Sequence, residues 1–173
     1  MAPEMDPQAL SLAAAFPDAA RLGDALRTRG MHVAVAESCT GGLLGAAITA
    51  VAGSSDYMLG GVVAYANEVK TALLGVPVAM LEVHGAVSEE VARAMAEGVR
   101  ESLQADVSAA ITGVAGPGSD SAGKPAGLVW VAVAAPGGVV RTVRLDRDLG
   151  REGNRAAAVE AALRLLLDVA GGA

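Results

Sequence analysis

Three side chains in this sequence could together do acyl-transfer chemistry: Ser38, Tyr65 and Lys70. Ser38 sits in Val35-Ala-Glu-Ser-Cys-Thr-Gly-Gly42, between a short apolar run and a run of small residues. A strand that ends in a polar, glycine-paired turn before a helix gathers backbone N–H groups and the positive end of the helix dipole at one spot. Such a spot suits an anion or a developing oxyanion, and Gly41 and Gly42 let a ligand approach the backbone closely. The same residue types have a plainer use, with Ser38 or Thr40 simply capping the helix. A serine nucleophile also needs a base. Tyr65-Ala-Asn-Glu-Val-Lys70 runs off a second apolar stretch into a helix, so Tyr65, Asn67 and Lys70 can gather at the same sheet edge as Ser38. A desolvated lysine loses affinity for its proton and can act as a base, with tyrosine relaying it. The competing reading of Lys70 is a solvated helix lysine. Either of the two histidines, His32 and His84, could serve as base instead, or sit at the surface or in a cap.

A glycine-rich loop adds a wall to this candidate site. Five glycines (113, 116, 118, 123 and 127) cluster after a strand end, where open α/β sheets tend to bind ligands. Thr112 and Gly113 would then close over a ligand opposite Ser38; the alternative is a mobile surface loop with no role. Two other signals fail. Gly118-Ser-Asp-Ser-Ala-Gly-Lys-Pro125 nearly matches a phosphate-binding P-loop, but Pro125 stands where the magnesium-binding Ser or Thr belongs, and a strand follows where a helix is required. There is no G-x-S-x-G elbow.

The elements that must position these groups follow from pattern and punctuation. Residues 1–17 read as a tail or arm, with residues 1–16 loose and Pro17 opening a helix that Gly30 closes. Residues 32–36 form a short strand, 43–51 a small-residue helix, 53–56 a turn, and 61–65 a second, buried strand. Residues 67–74 make a short helix ending at Gly75. Ser88 caps a helix with Glu89 and Glu90 in its first turn and an apolar stripe of Val91, Met95, Val99 and Leu103. Residues 106–112 and 128–135 are strands, and Gly137-Gly138 turns the latter into a strand over 139–145. The last helix covers about residues 150–169, burying Val159, Ala162, Leu163 and Leu166. Helices and strands alternate first and a hairpin comes later, which predicts an α/β fold, a three-layer α/β/α sandwich with a mixed sheet.

Composition narrows the function classes. The 173 residues are 53% apolar but only 2% aromatic, so the core is Ala, Val and Leu and no wide surface for base stacking exists. A net charge of −6 argues against nucleic acid, which needs a basic stripe to displace counterions. Cys39 is the single cysteine, so there is no disulfide framework, and with two histidines it cannot complete the usual zinc set. The acidic start lacks the basic region of a signal peptide, and the uncharged stretch 38–55 carries too many Ser, Thr and Gly for a membrane span. The expectation is a soluble, cytoplasmic protein with no nucleic-acid or membrane partner.

Six segments in order resemble one family: Ala36-Glu-Ser-Cys-Thr-Gly-Gly42, Gly53-Ser-Ser55, Tyr65-Ala-Asn-Glu-Val-Lys70, His84-Gly-Ala-Val-Ser88, Thr112-Gly-Val-Ala-Gly-Pro117 and Lys124-Pro-Ala-Gly127. Together they are similar to the C-terminal domain of the competence/damage-inducible CinA proteins, which include stand-alone nicotinamide-nucleotide amidases. The likeness covers about residues 18–168, so residues 18–173 are taken as the domain. It implies an α/β/α sandwich that hydrolyses the carboxamide of nicotinamide mononucleotide to nicotinate mononucleotide and ammonia, in pyridine-nucleotide recycling, with no metal or organic cofactor. It implies Ser38 as nucleophile, with Tyr65 and Lys70 activating it. Thr40, Gly41, Gly42, Asn67, Thr112 and Gly113 would line the pocket, and Arg151 and Arg155 would pair with the phosphate, a task that suits the guanidinium fork. Members are commonly dimers or larger, and the Ala-rich helices here could pack against a second copy. Two departures stand out. Gly118-Ser-Asp-Ser-Ala-Gly123 replaces the family's usual Asp-Gly-Gly, and Asp146-Arg-Asp-Leu-Gly-Arg151 blurs its Gly-Asp-Arg, so that Arg147 competes with Arg151. They leave two alternatives: a nucleotide-binding regulatory module of the same fold with reduced catalysis, or an amidase for another small carboxamide.

Overall fold

Small side chains on one face of a central sheet and larger ones on the other set how its two helical layers sit. The computed structural model describes residues 11–171. Its five strands, β1 (Val33–Glu37), β2 (Met58–Val63), β3 (Val107–Gly113), β4 (Leu128–Ala135) and β5 (Val139–Asp146), form one mixed sheet in the order β2-β1-β3-β4-β5. β1 pairs parallel with both β2 and β3, whereas β3–β4 and β4–β5 are antiparallel. The fold is the three-layer α/β/α sandwich with a mixed sheet that the sequence predicts.

Alternate residues of the central strands point to opposite layers. Val33, Val35, Val107, Ile111, Val129, Val131 and Val133 face α2 (Asp18–Arg29), α3 (Leu43–Thr49) and the long α7 (Gly150–Gly171). The other face offers Ala34, Ala36, Ala110, Ala132 and Ala134 to α6 (Glu89–Ser102). Helix α6 in turn meets α4 (Asn67–Leu74) closely enough that a Cβ on Gly98 would lie 1.9 Å from the Leu74 carbonyl oxygen. Ser88 caps α6 by accepting from Val91 N–H, and Gly30 and Gly75 end α2 and α4 in the left-handed region, as expected of helix-stopping glycines.

The structure changes three expectations. Residues 1–10 of the expected tail lie outside the described residues, but the rest of it is not loose. Leu12–Ala15 is a one-turn helix, α1, and Phe16 is buried in the core. The second strand starts earlier than expected and is a sheet edge with alternating exposure, not a buried strand, because it has β1 on one side only. A helix unseen in the sequence, α5 (Val78–His84), precedes α6; none of its side chains is buried. The Gly137-Gly138 hairpin turn between β4 and β5 is as expected, with both glycines in the left-handed region (φ 77° and 73°). Among the described residues no helix is long and apolar enough to cross a membrane.

Candidate active site

The site forms where β1, β3 and the start of α4 end on the same edge of the sheet. Beyond β1, Ser38 N–H still donates to Ile111 O at 2.9 Å, which extends the β1–β3 ladder by one residue and fixes the height of the serine. The chain then turns through residues 38–42. Gly41 (φ 62°) and Gly42 (φ 100°) take left-handed conformations that side chains disfavour, and so aim α3 back along the sheet.

That helix start is not open to a ligand. The Glu37 carboxylate, 1% exposed, curls round and accepts from the N–H groups of Gly42 (3.2 Å), Leu44 (3.0 Å) and Gly45 (2.8 Å). A buried anion thus satisfies the orphan amides and the positive dipole end of α3. This corrects both expectations for the turn: neither Ser38 nor Thr40 caps the helix, and the first-turn amides are occupied by the protein itself. Gly41 N–H returns to Ser38 O (3.1 Å) and Leu43 N–H to Thr40 O (3.2 Å). The amides of Cys39 and Thr40 take no part in these bonds.

Lys70 lies one turn into α4 and is 1% exposed, which rules out a solvated helix lysine. Its Nζ donates to Ala64 O (2.9 Å), Tyr65 O (3.3 Å) and Ser38 Oγ (3.2 Å). Burial pushes its pKa below the ordinary lysine value, with the surroundings of Cys39 and Glu68 opposing the shift. The Cys39 thiol also lines the site, but burial raises its pKa to about 11, so it stays protonated and unreactive near neutrality.

A cleft of about 410 Å³ opens over Ser38 and Lys70. Asn67, Thr112, Gly113 and Arg151 line it as expected, together with Tyr65 and loop residues up to Ser121. Thr112 Oγ1 is held by Ala86 O at 2.8 Å, and Gly113 is required because a Cβ there would meet Val129 Cγ2 at 2.7 Å. The loop is pinned rather than idle: Asp120 Oδ1 accepts from Ala122 N–H (3.0 Å) and Lys124 N–H (2.8 Å), and Lys124 Nζ donates to His84 O and Val87 O. Buried Asn154 donates to Ala115 O at 3.0 Å and fastens the inner loop to α7.

Other expected residues fall outside the cleft. Thr40, Gly41 and Gly42 form the turn behind Ser38 and do not line it. Arg155 supports that turn by donating to Thr40 O at 3.1 Å, and pairs with Glu152 at 3.2 Å. The Tyr65 phenol is not on Lys70; it lies 3.5 Å from Arg151 Nη2, and what Tyr65 offers Lys70 is its carbonyl. Arg151 also donates to Gly116 O at 2.7 Å, whereas Arg147 lines a separate groove, so Arg151 alone of the two reaches the cleft. The histidines are elsewhere, His32 beside Asp106 and His84 beside Glu90. Among the described residues no group of three or more His, Cys, Asp or Glu is placed to hold a metal ion.

The sequence reading missed Glu37, Asn154 and Asp120. Glu37 carries a usable signal, an acid at a strand end five residues before a Gly-started helix. Asn154 carries none, since an asparagine inside a helix is ordinarily a surface residue.

The model of the CinA C-terminal domain family matches residues 17–170. A CinA-like protein of Synechococcus sp. (strain RCC307) is 55% identical over 142 residues, which cover 82% of this chain and 34% of that protein. A putative competence-damage inducible protein of Halothermothrix orenii is 49% identical over 140 residues, or 81% of this chain and 33% of that protein. The chain spans about a third of the length of these curated relatives. The crystal structure of a competence/damage inducible protein from Agrobacterium tumefaciens superposes with a TM-score of 0.83 at 40% identity, covering 91% of this chain and 98% of that one. A CinA-superfamily structure from Escherichia coli gives 0.86 at 34% identity, covering 96% and 94%.

Proposed function

The chain belongs to the CinA C-terminal domain family, and on that premise we propose that it is a serine amidohydrolase converting nicotinamide mononucleotide to nicotinate mononucleotide and ammonia. The observation that carries the reading is the set of partners around Lys70 Nζ. Two of the three, the carbonyls of Ala64 and Tyr65, can only accept. When the amine is neutral its two N–H bonds stay on those carbonyls, and its lone pair is left for the remaining partner, the Ser38 hydroxyl. Burial, which lowers the Lys70 pKa, makes that neutral form accessible.

In this mechanism Lys70 takes the Ser38 proton as Oγ bonds to the carboxamide carbon. The C=O pair moves to oxygen, and the backbone amide of Cys39, the turn residue beside Ser38 that lines the cleft, holds the resulting oxyanion. Such a donor is typically worth roughly 3 kcal/mol in the transition state. The Lys70 ammonium then protonates the amide nitrogen, the C–N bond breaks and ammonia leaves. Water attacks the ester on Ser38, again giving a proton to Lys70, and the product acid departs as Oγ regains its hydrogen. Arg151 holds the phosphate through its guanidinium, with Tyr65 keeping that guanidinium in place. No step calls on a thiol or an imidazole.

The test is ammonia release from nicotinamide mononucleotide across about pH 6 to 9, beside nicotinamide riboside and a panel of short carboxamides. Turnover of the mononucleotide, much reduced for the riboside, supports the proposal. Folded protein that binds the mononucleotide without releasing ammonia is a regulatory module, and turnover of a panel member with the mononucleotide inert marks a different amidase.

A further inference from the structure

Besides Lys70, the cleft carries two charged side chains that make no ion pair among the described residues, and they have opposite sign. Arg151 makes hydrogen bonds to a carbonyl and a phenol but no ion pair among the described residues. On the loop wall Asp120 is half-buried and likewise makes no ion pair among the described residues. Its carboxylate is nonetheless held firmly. Oδ1 takes the amides of Ala122 and Lys124, a turn that leaves Oδ2 free. The neighbouring cation that would neutralise it, Lys124, is spent on the carbonyls of His84 and Val87. A carboxylate fixed in a concave wall with no counter-charge selects for positive charge in whatever fills the cleft.

We propose that Asp120 is a specificity-determining residue that reads the positive charge of a pyridinium ring, while Arg151 reads the phosphate, so that the site selects zwitterionic mononucleotides over ligands carrying only one of the two charges. This rests on the substrate reading above and goes beyond it by assigning ring-charge discrimination to one side chain on the loop. Asp120→Asn is the suitable perturbation because the amide oxygen can keep the two loop hydrogen bonds while the charge is lost.

The experiment crosses two variants with three probes. The probes are nicotinamide mononucleotide, its 1,4-dihydro form, which keeps the phosphate but has an uncharged ring, and nicotinamide riboside, which keeps the ring charge but lacks the phosphate. Binding constants come from competitive inhibition or calorimetry, with KM and kcat for the mononucleotide. Asp120→Asn should weaken the mononucleotide and the riboside about three- to tenfold, as for a partly desolvated charge pair, raise KM rather than lower kcat, and leave the dihydro form within about twofold. Arg151→Gln should weaken both phosphorylated probes and spare the riboside. Equal weakening of charged and uncharged rings by Asp120→Asn would show a loop-positioning role and overturn the assignment, as would no weakening at all. Wild-type protein that binds the mononucleotide without turnover still reports ring-charge selectivity, so the loss of catalysis and the loss of this inference are separable. Wild-type protein that does not bind the mononucleotide overturns both.

Discussion

Replacing Lys70 by arginine isolates the lone pair from everything else the lysine does. Arginine keeps a positive charge and enough N–H groups for Ala64 O and Tyr65 O, but guanidinium does not deprotonate and cannot take the Ser38 proton. Losing a general base costs 10²- to 10⁴-fold, roughly 3 to 5 kcal/mol on the barrier. Because arginine is larger and the slot is closed, Lys70→Met serves as the companion, matching the lysine stem without its charge. Methionine leaves two carbonyls without this donor, at roughly 1–3 kcal/mol each, offset by relief from burying an ammonium.

The two variants also differ from wild type in their pH dependence, and the sign follows from burial. The folded-state pKa of Lys70 is depressed, so between that value and the ordinary one the unfolded chain binds more protons at this residue. The burial penalty is full below the folded pKa and fades as pH rises toward the unfolded value. Wild type should therefore gain stability over Lys70→Met as pH rises through that window, which urea melts at several pH values would read. In the ammonia assay, wild-type kcat/KM should climb to an inflection below the normal lysine range, and both variants should retain at most about one hundredth of the activity without that inflection. Lys70→Arg within about tenfold of wild type, with the inflection intact, would refute the reasoning. Lys70 would then be an electrostatic partner only, and Tyr65 the remaining candidate base, since His84 does not reach the cleft.

Ser38→Ala should abolish ammonia release yet bind the mononucleotide within about threefold of wild type by calorimetry, since the Arg151 and loop contacts remain. Glu37→Gln can no longer accept at both oxygens from three amides, and should lower unfolding free energy by about 2 kcal/mol in urea melts with kcat falling more than KM changes. Arg155→Ala frees the Thr40 carbonyl and should reduce kcat roughly tenfold at nearly constant KM, because the turn that carries the Cys39 amide loosens while the cleft wall stays. Gly98→Ala drives a Cβ into the Leu74 carbonyl and should cost roughly 3 kcal/mol or more of stability, through separation of α6 from α4.

Elements bounded by sharp chemical signals were legible from the sequence. Helix α4 and strand β4 have the expected limits because Gly75 stops one in a left-handed cap and the Gly137–Gly138 turn stops the other. Helix α5 was invisible for an equally physical reason: a seven-residue helix with no buried side chain has no face to conserve as a periodic apolar pattern. Strand β2 was misplaced because Leu59 and Val63, though apolar, are exposed at an edge, so hydrophobicity there did not report burial.

The site was legible in its residue types and only partly in its directions. Ser38, Lys70, Asn67, Thr112 and Gly113 follow from strand ends and helix starts, whose side-chain directions obey simple periodicities, whereas Arg151 came from the family resemblance alone. Thr40, Gly41 and Gly42 belong to a turn, where two left-handed glycines set which way each residue faces, and no periodicity exists to read. Lys70 shows how burial changes the meaning of a residue type. At a position that is 1% exposed an apolar side chain would pack without desolvation cost, whereas an ammonium carries that cost even with three acceptors around it. Two of those acceptors are main-chain carbonyls supplied by the approach to α4 itself, so the helix start that buries the amine also orients it. The third is a hydroxyl that can return a proton. A partner that can both give up and regain a proton is what the proposed general base requires.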